Sequence, residues 1–587
     1  MSRPLALIAI ALMAGILTAD IVFYDHLIVP AWLNIAAWGF SLLLAAGAAL
    51  CWRNDGHSWS NRVLFPLLTF LFFAVVGFAR YASYADDVHT AWQQMERPPV
   101  NRGNPDEFDY VRWRWIQGVE DTTAWTSKLK QHALRWRASL LQKYASAEMD
   151  DEARGIVAAV TLADRSQLNR ETRDLYAAAG ASHLLALSGL HLSIIIGFFL
   201  TLLSGRLVMS RWRPWLGLAV LVFIWTYAFV AGLPTSLVRA SLMTSLLLIG
   251  LLIQRYGHPL HWLVLTACVM LLVRPVWLFD VGAQLSFAAV AGIVVLYKRW
   301  FFWIHARWHY LCFALERWHL MWPLDLLLVS VAAQLSTLPL VAYYFHRIPL
   351  YAPLFNLVYI PLTTVLIIVA FLLLVLASLP FAACLVPWMG RVLSWIVAAQ
   401  LSVMQFEVRL PAAVIDDFWS RKAQPQVVVY NNGRCPALHV IASPDRSWLL
   451  APQPDSLPSG LRYIEESFWQ RRLTNEPQVL TGRKAIAVQG FTAVMIDHND
   501  NTVCRPPTPS TSSPTTIDVL WITRGFKGTG LAPLSTLYAP RLLVLDASLS
   551  YAQRSVLHRQ ASSLGWSVWD INVQGALRMK LQAVNDK

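Results

Sequence analysis

The sequence predicts a polytopic α-helical membrane protein of about ten transmembrane helices, followed by a small soluble α/β C-terminal domain. Two observations carry this. Of the 587 residues, 56% are hydrophobic and only 14% charged, with a mean hydropathy of +0.45, whereas soluble chains are about 45–50% apolar and about 25% charged. The apolar residues also gather in runs near the ~20 residues that a helix needs to cross a bilayer, where backbone groups must bond to one another. The same composition, with six cysteines, excludes a wholly soluble enzyme, a disordered scaffold and a disulfide-stapled secreted module.

In chain order the runs are Pro4 to Tyr24, Ala31 to Leu50, Val63 to Ala79, Pro214 to Val230, Thr235 to Ile253, Pro259 to Phe279 and Val281 to Tyr297. Leu324 to Tyr344, Pro353 to Leu379 and Leu385 to Val408 follow. An eleventh candidate, Leu184 to Leu203, contains Ser, Gly and His and reads as a possible partial crossing. The first run is not read as a cleaved signal, because two more follow it at once. Arg3, Arg53 and Arg62 favour a cytoplasmic N-terminus, which places Arg80 to Asp150 on the outer side. That segment is interrupted by Pro98, Pro99 and Pro105 and reads as a helix over Thr122 to Tyr144.

From Phe418 the pattern changes. Gln426 to Tyr430, Ala437 to Ile441, Thr492 to Ile496, Ile517 to Ile522 and Leu542 to Leu545 read as strands, and Tyr551 to Leu564 as a helix. Arg505 to Thr516, rich in Pro, Ser and Thr, reads as a loop. This part holds 18 Lys/Arg against 11 Asp/Glu, about half of the net charge of +13. Such a surface suits anionic lipid or nucleic acid, and equally suits plain solvation.

Ionisable residues inside apolar runs are costly and usually face a bundle interior or a water-filled path. Arg239 is the clearest, with Asp280 the acidic residue at comparable depth. An internal ion pair and a positive wall for phosphates are both open readings. In Ala178 to Gly197, Ser188 and His191 are three apart and share a face if helical, His183 lies on another part of the surface, and Gly189 thins the segment. A nucleophile with its base, a pair of metal ligands, and hydrogen bonding between helices each fit. Gln284 and Gln334, in two of three AQLS tetrapeptides, place amides inside runs where they need partners.

At these residues the sequence resembles the ComEC-type DNA internalisation channel of bacterial natural transformation. The matching text is TLADRSQLNRETRDLYAAAGASHLLALSGLHLS near residue 160, AGLPTSLVRASLM from Ala231, RPVWLFDVGAQLSFAAVAGI from Arg274, and AAQLSTLPLVAYYFHRIPLYAPLFNLVYIPL from Ala332. The resemblance implies that the membrane part conducts one DNA strand into the cytoplasm. A strand presents phosphates and stackable bases, so cations and aromatics are the side chains to look for. The path candidates are therefore His183, Ser188, Gly189, His191, Arg239, Asp280, Gln284 and Gln334, with Tyr344, Phe345 and Asn356 from the last block.

The resemblance also divides the chain into N-terminal helices (1–79), an outer-side helix-rich segment with a reduced or absent OB fold (80–155), a competence-type channel domain (156–417) and a C-terminal domain (418–587). It relates that last domain to a degenerate metallo-β-lactamase fold. The family's H-x-H-x-D-H metal motif is missing, since His439, His498 and His558 are widely separated. Asp497 and Asp546 read as turn or strand-end residues. No metal, cofactor or nuclease activity is expected, which leaves a nuclease, a DNA receptor and a cytoplasmic helicase or ATPase to separate partners. No P-loop is present to supply energy. The expected partners are single-stranded DNA and membrane lipid, in the bacterial inner membrane with the C-terminal domain outside. An intramembrane hydrolase built on Ser188 and His191, and a transporter of another anionic polymer, are the alternatives.

Overall fold

The structure, a computed structural model, describes residues 3–23, 31–53, 59–95, 101–105, 109–117, 124–202, 213–252, 258–307, 321–379, 384–411, 413–416, 423–433, 435–451, 461, 464–469, 472–480, 483–497, 514–524, 526 and 530–581. His498 and most of the Arg505 to Thr516 loop lie outside the described residues. Two compact units emerge, Met1–Glu96 with Trp115–Phe418, and Arg97–Arg114 with Trp419–Lys587.

The first unit is helical. Its early helices are α1 (Arg3–Phe23), α2 (Ala31–Arg53) and α3 (Trp59–Gln93), with α4 (Tyr110–Gln117) spanning the boundary between the units. There follow α5 (Ala124–Ala145), α6 (Asp151–Leu162), α7 (Arg170–Ala178), α8 (Ser182–Leu185), α9 (Gly189–Leu202), α10 (Arg213–Val230), α11 (Thr235–Leu252) and α12 (Pro259–Val273). After α13 (Val281–Gly292) a π-turn, Ile293–Tyr297, leads into α14 (Lys298–Arg307), and α15 (Met321–Phe345), α16 (Ala352–Leu376) and α17 (Leu385–Val408) complete the unit. Among the described residues six stretches are long and apolar enough to cross a membrane: Leu5–Phe23, Leu33–Leu50, Leu64–Gln93, Val281–Ile304, Met321–Phe345 and Ala352–Leu376. Trp215–Val230, Thr235–Gly250 and Pro259–Val273 are apolar but shorter.

Small residues set how closely these helices approach. A Cβ built on Gly15 would lie 1.9 Å from the Ala74 carbonyl oxygen, and one on Gly77 would lie 2.5 Å from that of Leu12. The backbones of α1 and α3 therefore touch, the packing that lipid-embedded helices use when no hydrophobic force drives them together. Arg80 of α3 donates from Nε and Nη2 to the carbonyls of Leu272 and Val273, each at 2.9 Å. These are carbonyls that the end of α12 leaves without helical partners, and a cation there also complements the helix dipole. Ser236 Oγ of α11 donates to the Leu187 carbonyl before α9 at 2.5 Å, and Tyr344 of α15 donates to Gln284 of α13 at 2.9 Å. These bonds tie α3 to the C-terminal end of α12, the start of α11 to the residues before α9, and the end of α15 to the start of α13.

The segment expected to stand outside as one piece, residues 80–155, is divided three ways. Residues up to Gln93 continue α3, Arg97–Arg114 belong to the second unit, and α5 with α6 packs lengthwise into the first. The tip of the α5–α6 hairpin lies at the far end of α16, where Lys143 Nζ donates to Ser378 Oγ at 2.5 Å and Arg391 of α17 donates to Glu148 at 2.6 Å. At the other end of the hairpin Arg137 faces Asp164 at 3.6 Å. The physical reason is burial: Tyr144 is fully enclosed, its hydroxyl donating to Thr161 Oγ1 at 3.1 Å, and Tyr227 of α10 donates to the Thr161 carbonyl at 2.7 Å. A two-stranded pair, β1 (Arg347–Pro349) with β2 (Val414–Asp416), closes the unit.

The second unit layers two five-stranded sheets. One has the order β12-β3-β4-β5-β6, from β3 (Gln426–Val429), β4 (Leu438–Ser443), β5 (Arg446–Leu450), β6 (Gln478–Leu480) and β12 (Leu577–Lys580). The other has the order β11-β10-β9-β8-β7, from β7 (Ala485–Val488), β8 (Phe491–Ile496), β9 (Thr515–Ile522), β10 (Tyr538–Leu545) and β11 (Val568–Asp570), with β8 to β11 parallel. Alternation does the sorting. Val427, Val429, Leu438 and Val440 face Ala493, Met495, Val519 and Trp521 between the sheets. Val428, Tyr430 and Leu449 face outward under Leu461, Ile464 and Phe468. Leu520, Ile522, Leu543 and Leu545 are covered by Leu557 and Ala561 of α18 (Tyr551–Ser563). That helix starts with a capping box between Ser550 and Gln553.

Residues 101–105 complete this unit from a distance in sequence. Asn104 Oδ1 accepts from the Asn431 backbone amide at 2.8 Å, the Arg102 carbonyl accepts from Ala576 at 2.9 Å, and Arg578 donates to the Gly103 carbonyl at 2.9 Å. A C-terminal domain cut at Phe418 lacks this strap.

Two buried groups tilt the unit's stability in opposite directions with pH. Burial holds the neutral His439 ring at about 3, below its usual 6.5, and holds the Asp546 carboxyl up at about 6 against 3.8. On acidification below 6.5 the unfolded chain protonates the histidine and the native unit does not, so His439 lowers stability down to about 3. Between about 6 and 3.8 the native unit holds a proton on Asp546 that the unfolded chain lacks, so this group raises stability as pH falls. Asp546→Asn leaves the histidine unopposed, and stability should fall more steeply from pH ~6 to ~4, by about 1 kcal/mol per pH unit. Hydrogen exchange of the β9 and β10 amides at several pH values, corrected for intrinsic rates, measures this. An unchanged slope in the variant would contradict the assignment.

Candidate functional site

The segment around Ser188 is not one continuous helix. α8 ends at Leu185, Ala186 is extended at φ −92° and ψ 129°, and α9 begins at Gly189. Ser188 thus stands at the N-cap, where its backbone N–H donates to His191 Nδ1 at 3.0 Å, and its hydroxyl lies 2.7 Å from the same nitrogen. This is one half of a capping box, with histidine replacing the usual Glu or Gln as the acceptor for the N-cap amide. Because Nδ1 accepts, the neutral ring carries its proton on Nε2, and that nitrogen is buried with no hydrogen-bond partner. His183 is separate and exposed, its Nδ1 lying 3.1 Å from the Gly180 carbonyl oxygen. A Cβ on Gly189 would meet that of Ala240 at 3.5 Å, so the break rests against the first turns of α11.

Arg239 projects from those turns. It is 5% exposed, its guanidinium lies 5.6 Å from the centre of the Phe287 ring, and its Nη1 has no hydrogen-bond partner. Asp280 caps α13, accepting from the Gly282 amide at 3.3 Å through Oδ1, while its buried Oδ2 is unpartnered. Arg239 and Asp280, the two members of the ion-pair reading, make no direct hydrogen bond to each other, yet remain electrostatic neighbours. The cause lies in the helix starts. Asp280 is drawn to its own N-cap and Arg239 lies over an aromatic face.

The remaining candidates divide. Gln284 is fully employed, donating to the Leu278 carbonyl at 2.8 Å and accepting from Tyr344. Gln334 donates to the Pro349 carbonyl at 2.6 Å and anchors the β1 turn. Tyr344 and Phe345 are exposed at the C-terminal end of α15, and the Tyr343 and Tyr344 rings meet edge to face at 5.0 Å. Asn356, in the first turn of α16, keeps a buried Oδ1 without a partner. The structure therefore brings together Ser188 with His191, Gly189 with Ala240, and Gln284 with Tyr344, keeps the exposed His183 as an electrostatic neighbour of His191, and leaves Phe345 apart.

Four of the candidates thus keep a buried atom without a hydrogen-bond partner: Nε2 of His191, Nη1 of Arg239, Oδ2 of Asp280 and Oδ1 of Asn356. Burying such groups unmade costs about 1–3 kcal/mol each. In the second unit the histidines do not converge. His439 Nδ1 lies 2.6 Å from the Tyr430 hydroxyl on the outer face of one sheet, and His558 is exposed on α18 over the other. Asp497 pairs with Lys484 at 3.0 Å, and Asp546 accepts from Trp521 Nε1 at 3.2 Å and the Ser548 amide at 2.8 Å. Among the described residues no group of three His, Cys, Asp or Glu could hold a metal ion.

Comparison with known proteins decides the family. The Competence protein family matches residues 160–430, and the ComEC C-terminal domain family matches residues 427–581. The chain belongs to the ComEC-type competence proteins. ComE operon protein 3 of Bacillus subtilis is 28% identical over 326 residues, covering 55% of this chain and 37% of that protein. Recombination protein 2 of Haemophilus influenzae is 23% identical over 307 residues, 50% of this chain and 36% of that one. Competence protein ComA of Neisseria gonorrhoeae is 26% identical over 234 residues, 38% and 31% respectively. The chain spans about a third of the length of these curated relatives in each match. No solved structure matches. In this ComEC-type chain the α8–α9 break, Arg239 and Asp280 all fall within the matched competence region.

Sequence reasoning missed Glu407, Tyr359 and Tyr176, which form a buried polar cluster between α17, α16 and α7. Glu407 sits inside an expected span, so the rule that singled out Arg239 would have found it too.

Proposed function

We propose that the membrane unit conducts single-stranded DNA across the bacterial inner membrane during natural transformation. The observation that carries this is Arg239, a buried cation inside an apolar helix whose Nη1 has no protein partner. A phosphate supplies what that geometry lacks, two acceptor oxygens for a planar donor fork. Membership of the competence family, and relatives named for competence and recombination, support DNA as the polyanion.

In this reading the three shorter apolar helices and α17 cross beside the six long ones. With α9 as an eleventh crossing, the C-terminal ends of α3 and α17 fall on the same side. A cytoplasmic N-terminus then puts the C-terminal unit outside. That unit's four layers support kinship with the metallo-β-lactamase sandwich, and its excess of basic residues suits holding DNA near the entrance. A separate receptor, nuclease and cytoplasmic motor complete the route.

The hydrolase reading draws on the 2.7 Å Ser188–His191 contact. A backbone amide already occupies the histidine nitrogen that would serve as base, so the pair acts as a helix cap. Uptake of dye-labelled DNA into cells with and without the gene tests the main reading: loss of internal label on deletion, with surface label retained, is expected. Normal internalisation in the deletion strain would refute it.

A further inference from the structure

Glu407 lies in the last turn of α17 and is 1% exposed. Its Oε2 accepts a short hydrogen bond from the Tyr359 hydroxyl of α16, itself fully buried. Tyr176 of α7 is an electrostatic neighbour of Tyr359, and its buried hydroxyl has no hydrogen-bond partner. Asn356, one turn before Tyr359, leaves its Oδ1 unpartnered as well.

Among the described residues no cation is ion-paired with Glu407. On α6, Arg154 bonds Asp151, and Glu152 accepts from Thr172 Oγ1 of α7 at 2.5 Å. On α7, Arg170 pairs with Asp174 and Arg173 donates to the Arg165 carbonyl. Arg409, beyond α17, and Glu171 of α7 are exposed, as is His183 of α8. α16 carries no charged side chain. A carboxylate enclosed without a counter-ion is costly, whereas the acid is not. The acid also brings an O–H donor, and the buried Asn356 Oδ1 and Tyr176 hydroxyl are acceptors without a partner on the neighbouring α16 and α7.

We propose that Glu407 is a proton-binding site whose occupancy sets the seat of α7 and of the turn leading to the α8–α9 break. The ligand is a proton from the aqueous phase; a carboxylate oxygen gains it on binding and returns it on release, with no other bond changed. When the proton leaves, the charged carboxylate must draw water or a cation into the junction, which loosens Tyr176. The connection onward is short. The Ala181 amide donates to the Tyr176 carbonyl at 2.8 Å, and a Cβ on Gly180 would lie 2.5 Å from Pro349 Cγ, so α7 cannot shift without moving the turn before α8.

The test is hydrogen–deuterium exchange of the full chain in lipid nanodiscs at a series of pH values from 5.5 to 8.5, corrected for intrinsic rates and read over residues 172–190. Exchange should be several-fold faster at pH 8.5 than at pH 5.5, and Glu407→Gln, a permanently neutral isostere, should show the slow pattern throughout. Tyr359→Phe, which removes the hydroxyl bound to the carboxyl, should move the midpoint of the transition, with α1 and α3 peptides unchanged. Equal exchange at all pH values in the unmodified protein, a pH response that survives Glu407→Gln, or an unmoved midpoint in Tyr359→Phe would each overturn the proposal. No DNA enters this measurement, so its failure and failure of the DNA-conducting reading are separate results.

Discussion

Arg239→Ala is expected to abolish DNA uptake while leaving the protein in the membrane at its normal level. The arginine makes no hydrogen bond through Nη1 and no ion pair with Asp280, so the fold loses little when it is removed. Removing it also relieves a buried, incompletely paired charge. A transported phosphate loses a charge-assisted hydrogen bond of about 1.5–3 kcal/mol, which corresponds to about 10–150-fold in binding at that step. Arg239→Lys keeps the charge but not the planar fork, so partial activity would indicate charge alone and near-complete loss would indicate bidentate geometry. Transformation frequency beside an immunoblot of the membrane fraction reads both quantities. Normal frequency with Arg239→Ala would remove Arg239 from the path.

Gly180→Val is expected to destabilise the helical unit by about 3 kcal/mol, from two separable causes. Gly180 sits at φ +64°, where a residue with a Cβ pays about 1–2 kcal/mol, more if branched. Its Cβ would also lie 2.5 Å from Pro349 Cγ and 3.0 Å from Ala352 Cβ, an overpacking that costs about 1–3 kcal/mol. Thermal unfolding of the purified protein in detergent measures the sum. Pro349→Ala in the same chain removes the Cγ contact but keeps a Cβ at 2.8 Å, so it should recover only a fraction of the steric part and leave the backbone part. An unchanged melting temperature in Gly180→Val would mean that the turn before α8 is not held against β1.

The membrane-helix character, with six long apolar helices among the described residues, the change of pattern at Phe418, and Ser188, His191 and Arg239 were legible because each rests on local chemistry. Twenty apolar residues, an alternating pattern and a charge inside an apolar run carry their own signal. The strands β5, β6, β7, β11 and β12 were missed because they run only three to five residues and are held by their neighbours in the sheet. The Ser188–His191 pair was legible as a contact but not as a cap, since three-residue spacing fits both one helical face and an N-cap with N3.

The sequence by itself determined that this chain is built for a bilayer, that it carries a separate basic C-terminal unit, and that its competence-type blocks hold a cation at depth. Tertiary structure alone decided which charges meet. Arg239 and Asp280 are electrostatic neighbours without a direct hydrogen bond: Asp280 caps α13, and Arg239 lies over the Phe287 ring. It likewise decided that residues 101–105 complete the C-terminal unit and that α5 and α6 lie within the helical one. Hydropathy reports how far one helix prefers lipid to water. Which buried polar atoms find partners depends on distances between segments hundreds of residues apart, and those distances are set when the helices pack.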